Sequence, residues 1–168
     1  KAIKHAKEHL LKPTAQMIPA RVRVMAMGIE STEIFQNYRV SQSAGFDVRE
    51  FNEFSLKGYV GIHLDKMAYR AITRPTPVFS FEFKNLPGAE KIDLDLEITA
   101  DGIRHAIAYW FELGLDADTV ITSGPGLPKL SSWKQAIQIT ETPANYRKGE
   151  RAMLSVHHDE SAIWFNRR

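Results

Sequence analysis

The stretch T-S-G-P-G-L-P-K-L-S-S-W-K-Q-A-I-Q-I, residues 122–139, decides how the rest of the chain is read. Gly124, Pro125, Gly126 and Pro128 cannot continue a β ladder, yet they run straight into Trp133 and an alternating apolar segment. Two prolines fix φ and two glycines admit φ > 0, so the approach to Trp133 is stiffer than an ordinary connection of that length. Such a loop places side chains: Ser131, Ser132 and Trp133 are expected to emerge at the mouth of a strand spanning 133–140. A β-turn feeding a core tryptophan is the plainer reading of the same residues.

Immediately upstream, residues 103–113 put Ile103, His105, Ile107, Tyr109 and Phe111 on one face of a strand and Arg104, Ala106, Ala108, Trp110 and Glu112 on the other. Both faces are apolar mid-strand, which predicts a central strand. His105 among such neighbours reads as a satisfied core histidine before it reads as a ligand or base. Asp101-Gly102, just before it, is a hairpin signal. Earlier still, Phe79, Phe81 and Phe83 alternate with Ser80 and Glu82, and Ile92, Leu94, Leu96 and Ile98 alternate with Asp93, Asp95 and Glu97. These are two half-buried strands, and the acidic row is a solvated outer face rather than a cation site or a docking strip for basic peptide. Downstream, a turn at 142–149 separates strands at 150–157 and near 162–165. His157, His158, Asp159 and Glu160 read as a polar hairpin tip, because neighbours on a strand point to opposite faces and cannot close on one ion.

At the other end, residues 1–12 place Ile3, Ala6, Leu10 and Leu11 on one face of an amphipathic helix that Pro13 ends. His5 and His9 stand four apart on it and read as surface histidines for want of a third ligand. Residues 18–29 form a strand that enters the core, with Pro19 at its exposed start. Residues 33–40 follow as a short segment anchored by Phe35 and Tyr38. From 45 to 71 the aromatic-rich pattern keeps neither period, predicting an irregular excursion of short helices. It is either a lid on its own domain or an arm that docks on another subunit.

The elements add up to a mainly β fold: a closed or distorted, sandwich-like barrel of about eight strands with one leading α-helix and an inserted helical arm. A chain of 168 residues can bury a real core without staples. It has no cysteine, which excludes disulfides and thiolate metal sites and fits a cytoplasmic setting. Twenty-two basic against twenty acidic residues, net +2, give no case for nucleic acid or an anionic membrane as partner. No apolar run is long enough to span a bilayer as a helix.

Five pieces in order carry a resemblance. They are K-A-I-K-H-A-K-E-H-L-L-K-P at 1–13, Q-M-I-P-A-R-V-R-V-M-A-M-G-I-E at 16–30, G-F-D-V at 45–48, R-H-A-I-A-Y-W-F-E-L at 104–113 and T-S-G-P-G-L-P-K-L-S-S-W-K-Q at 122–135. Together they resemble the C-terminal half of a protein arginine methyltransferase. The resemblance implies a helix at 1–13 leading from a cofactor domain outside the chain, a barrel at 14–168, and an inserted dimerisation arm at 45–73. It implies that Phe46, Phe51, Phe54 and Tyr59 make the contact of a homodimer, and that Ser131, Ser132 and Trp133 wall the groove for an arginine-containing protein or peptide. S-adenosylmethionine would be the cofactor of the parent protein. The chain has neither the family's glycine-rich strand-to-helix turn nor its pair of hairpin glutamates, so the expectation is a piece of a longer enzyme that binds no cofactor and carries no catalytic residue of its own. Ser132 stands where the family has a histidine, and a hydroxyl can donate one hydrogen bond but cannot carry charge. The location implied is cytoplasmic, or nuclear in a eukaryote.

A different class stays open: a stand-alone barrel or sandwich binding peptide or carbohydrate through Tyr109, Trp110 and Trp133 without chemistry. A cupin-like metal enzyme is more distant, since the histidines share no face.

Overall fold

The computed structural model describes residues 2–12, 14–54, 58–127 and 132–168. In chain order the elements are α1 (Ala2–His9), β1 (Arg21–Glu30), α2 (Thr32–Tyr38), β2 (Gln42–Ser43), β3 (Phe46–Asp47), a 3-10 helix at Arg49–Phe54, β4 (Val60–Ile62), a 3-10 turn at Leu64–Lys66 and β5 (Arg70–Ala71). Then come β6 (Thr76–Glu82), β7 (Glu90–Glu97), β8 (Gly102–Gly114), β9 (Val120–Thr122), β10 (Gln135–Tyr146), β11 (Arg151–His158) and β12 (Ile163–Arg167). The mainly β architecture with a leading helix is the expected one; the strands exceed the expected number because β2 to β5 and β9 are two- or three-residue pairings too short to leave a period in the sequence.

One sheet runs β4-β10-β8-β1-β5, with β6 added to β1 and β9 to β8; a second runs β12-β11-β7; β2 and β3 form a separate hairpin. The two larger sheets enclose a first core, in which Val24, Ala26, Ile107 and Tyr109 meet Leu94, Leu96, Leu154, Val156 and Phe165. The reverse face of β1 and β8 carries a second core, where Met25, Met27, Ile29, Ala108 and Trp110 are covered by Ile34, Ile62 and Leu64. Strands buried on both faces need apolar residues without alternation, and that is why β1 reads as a continuous apolar run.

Several local expectations change. The segment at 33–40 is the helix α2, N-capped by the Ser31 hydroxyl, which accepts the Ile34 N–H at 3.1 Å. Its anchor is Ile34, fully buried and contributing about 1.5–3 kcal/mol, whereas Tyr38 is exposed. Asp101-Gly102 makes no hairpin: β7 pairs with β11, and β8 pairs with β1 and β10, so the chain changes sheets at this corner. The acidic row on β7 is met by arginines, Arg151 on Asp95 at 2.6 Å and Arg168 on Asp93 at 2.7 Å. The expected turn at 142–149 shortens to 147–150, because β10 absorbs Pro143 in a register shift between Ile139 and Ala144 and continues to Tyr146. Opposite that shift the alternation of β8 also breaks: His105 meets α2, while Ile107 and Tyr109 enter the first core. In α1, Leu10 and Leu11 lie beyond the helix end and are exposed. Pro13 itself is outside the described residues.

The excursion divides in two. Residues 39–54 project as the β2–β3 hairpin and the 3-10 helix at Arg49–Phe54. By contrast β4 pairs with β10, β5 pairs with β1, and Ile62, Leu64 and Ile72 are buried, so the later part of the expected 45–73 arm is woven into the main sheet.

Candidate functional site

The loop that leads to Trp133 is fixed at both ends by buried polar groups. At its start the Ser123 N–H donates to the Phe111 carbonyl at 3.0 Å, and the Ser123 hydroxyl accepts the Phe111 N–H at 3.2 Å. At its end Gln135, the first residue of β10, donates from Nε2 to the Ser123 carbonyl at 2.6 Å and accepts the Leu64 N–H on Oε1 at 2.8 Å. Between them Gly124 lies so close to Trp110 that a Cβ there would stand 2.7 Å from the indole nitrogen. Gly126, at φ +80°, donates its N–H to Asp65 Oδ1 at 2.9 Å. Glycine is required at both, once for space and once for a left-handed backbone.

From this frame Ser132 and Trp133 emerge exposed, with the Trp133 ring edge-on to Phe111 at 5.2 Å. Trp133 is 45 % exposed, which overturns the core-tryptophan reading: the side chain is presented, not buried. Ser131 lies outside the described residues. The other two aromatics of the binding-module alternative are core residues, since Tyr109 and Trp110 are both buried, so the three do not make one surface. Burial also pushes the Tyr109 phenol up, with Tyr59 beside it adding to the effect, and its hydroxyl donates to the Ile163 carbonyl at 3.2 Å.

Next to Trp133 a cleft of about 490 Å³ opens between α1, β4, β10 and the β11–β12 tip, with Tyr59, Phe81, Tyr109, Lys134, His158 and Ile163 among its lining residues. Tyr59 meets Tyr109 edge-on at 5.8 Å, so it belongs to this cleft in the folded chain, apart from the other three residues assigned to the dimer contact. His158 is 93 % buried by its 7 % exposure, edge-on to Phe79 at 4.7 Å and Phe81 at 5.1 Å. Its Nε2 has no hydrogen-bond partner among the described residues, Glu90 standing 3.7 Å away. Adjacent His157 points to the opposite face and stacks on Trp164 at 5.5 Å, so the histidine pair divides as expected. Asp159 closes the tip by accepting from Ser161 and Ala162. No group of metal ligands forms among the described residues.

The projecting unit presents a second candidate surface. Asn52 accepts the Val40 N–H at 2.9 Å and donates to the carbonyls of Val40 and Arg49, which folds residues 40–52 onto themselves. What this leaves outside is apolar: Phe46 is 73 %, Phe51 65 % and Phe54 87 % exposed. Three exposed phenylalanines in nine residues are characteristic of a surface covered in an assembly.

The remaining polar centre holds α2 in place. Ser31 donates its N–H to His105 Nδ1 at 3.1 Å and its hydroxyl to the Ala68 carbonyl at 2.6 Å, while Glu30 accepts the Ile103 N–H at 3.1 Å and pairs with Arg70. The Arg70 guanidinium holds the Glu30 carboxyl below its usual range, and burial holds the His105 imidazole below its own. An acceptor Nδ1 assigns the proton of His105 to Nε2, a structural tautomer. Sequence reasoning missed Gln135 and Ser123, and it placed His158 in a polar hairpin tip, whereas His158 ends β11 and is buried against Phe79 and Phe81; for Gln135 the signal available was a polar residue at an inward position in the alternation Gln135, Ile137, Ile139.

Residues 20–168 match the family described as the arginine methyltransferase oligomerization subdomain. Among curated proteins, the arginine N(omega)-methyltransferase of Streptomyces achromogenes subsp. streptozoticus is 31% identical over 156 residues, 91% of this chain and 42% of that protein. Protein arginine N-methyltransferase 7 of Drosophila melanogaster is 27% identical over 203 residues, 98% of this chain and 29% of that protein. This chain thus spans less than half the length of these relatives. In fold it is similar to a Trypanosoma brucei PRMT1 enzyme–prozyme heterotetrameric complex with AdoHcy, at a TM-score of 0.78 and 20% identity, covering 92% of this chain and 50% of that one. With the family match running from the first residue before β1 to the end of the chain, the protein belongs to the arginine methyltransferases, as their C-terminal oligomerization subdomain.

Proposed function

We propose that this chain forms the substrate-side wall and the dimer contact of an S-adenosylmethionine-dependent protein arginine N-methyltransferase. The observation that carries the reading is Trp133, held out from the barrel at the end of a loop pinned through Ser123 and Gln135. A half-exposed aromatic beside a cleft suits the aliphatic stem and planar guanidinium of an arginine side chain. Phe46, Phe51 and Phe54 supply the apolar face for the second subunit. The cofactor does not fit these residues: among the described residues α2 is the α-helix that follows a strand, and its N-terminus is reached through Glu30 and Ser31, with no glycine turn and with the Ile34 N–H already capped. The chemistry therefore falls to groups outside the chain, and the role of Ser132 and Trp133 is to position the substrate.

Calorimetric titration with S-adenosylmethionine tests this on the full-length gene product and on this chain. Binding by the full-length protein alone, with methyl transfer to an arginine peptide that fails in Trp133→Ala, is the expected result. If the full-length protein neither binds the cofactor nor methylates, the proposal is wrong.

A further inference from the structure

We infer that the cleft beside Trp133 seats an apolar side chain of the protein substrate whose neighbouring residue is acidic, so that the enzyme selects arginines in apolar–acidic surroundings. The inference rests on the function proposed above.

Continuity locates the cleft on the substrate path. Trp133 meets Phe111, and Tyr109, two residues along the same strand, forms the cleft wall with Tyr59. Two strand residues span about 7 Å, the reach of two residues of an extended peptide. An arginine at Trp133 thus brings a side chain about two positions away over the cleft. Phe81, Tyr109 and Ile163 offer that side chain an apolar bed, with the His158 ring behind them edge-on to Phe81.

Charge sets the neighbour's sign. Exposed Lys134 lines the cleft and forms no ion pair among the described residues. Across the mouth Lys4 is held to Glu160 at 2.9 Å, and an adjoining hollow adds Lys7 and Lys84 against the single carboxylate of Glu8. Four ammonium groups against two carboxylates favour a carboxylate on the incoming chain.

The test uses the full-length protein and short peptides with one arginine, carrying Leu-Glu, Ala-Glu or Leu-Lys two to four residues to either side. Rates of methyl transfer from S-adenosylmethionine are compared for wild type and Lys134→Glu, an exposed position whose change is checked by circular dichroism. At one placement Leu-Glu is expected to exceed the other two by about tenfold in kcat/KM, and Lys134→Glu to reverse the preference between Glu and Lys. Equal rates at every placement, or a preference untouched by Lys134→Glu, overturn the inference while leaving the methyltransferase reading intact. If no peptide is methylated, that reading has failed, and the anisotropy of a labelled, arginine-free Leu-Glu peptide judges the cleft alone. Binding weakened about tenfold by Lys134→Glu upholds it, and no binding overturns it.

Discussion

Gln135 donates its Nε2–H to the carbonyl of Ser123 at 2.6 Å, with both residues buried. One side chain thereby joins the two ends of the loop that presents Trp133, and its Oε1 extends the link to Leu64 in the returning part of the excursion. Gln135→Leu would leave the Ser123 carbonyl and the Leu64 N–H buried without partners, a cost of about 2–4 kcal/mol. Chemical denaturation measures it; a loss below about 0.5 kcal/mol would mean that the loop is held elsewhere.

Trp133 allows stability and the proposed substrate contact to be tested separately. Because its ring is half-exposed, Trp133→Ala is expected to cost less than about 1 kcal/mol in urea unfolding and yet to abolish methylation by the full-length enzyme. A cost of about 3 kcal/mol, as for a buried aromatic, would contradict the exposed placement.

His105 makes stability fall with acid. Burial lowers its pKa from the ordinary 6.5, with Glu30 acting in the opposite sense. Below that value the unfolded chain takes up a proton that the folded chain refuses, so the stability present above pH 6.5 declines as pH falls towards the folded pKa. Urea midpoints from pH 7.5 to 5 should drop for the wild type and drop less for His105→Gln. Parallel slopes for the two proteins would refute the assignment.

Arg104 is a buried cation over the Tyr146 ring at 5.4 Å, and its Nε lacks a hydrogen-bond partner among the described residues. Desolvation lowers its pKa, and Arg167 nearby acts in the same direction. The cation–π contact returns about 0.5–2 kcal/mol, less than the several kcal/mol that burying an ion costs. Arg104→Met should therefore match or exceed the wild-type melting temperature. A marked fall in Tm would show that the guanidinium is held by more than the Tyr146 ring.

Phe54, at 87 % exposure, reports on assembly. In the full-length protein Phe54→Asp is expected to convert a dimer to a monomer in light scattering at micromolar concentration, with the barrel still folded. An unchanged mass would move the dimer contact away from this face.

Much of the barrel was legible because its long strands leave strong periods. The alternation of Leu94 and Leu96 with Asp93 and Asp95, and the doubly apolar run of β8, follow from which faces are buried, and burial is what the residue types record. The glycines of the loop before Trp133 were equally plain, and the structure requires them at Gly124 and Gly126. Which strand pairs with which was not written there: Asp101-Gly102 permits a hairpin, yet β7 satisfies its edge on β11, because only the folded sheets determine which partner is within reach. The same holds for the candidate site. The sequence by itself determined that an aromatic would follow a loop of glycines and prolines, without deciding whether it is buried or presented, and that phenylalanines would crowd the excursion. Only the tertiary structure decided that Trp133 faces outward, that Tyr59 leaves the arm for the cleft, and that Gln135, Ser123 and Leu64 share one bonded network across 71 positions of chain. Contacts between residues that far apart depend on sheet order and register, and no local pattern encodes them.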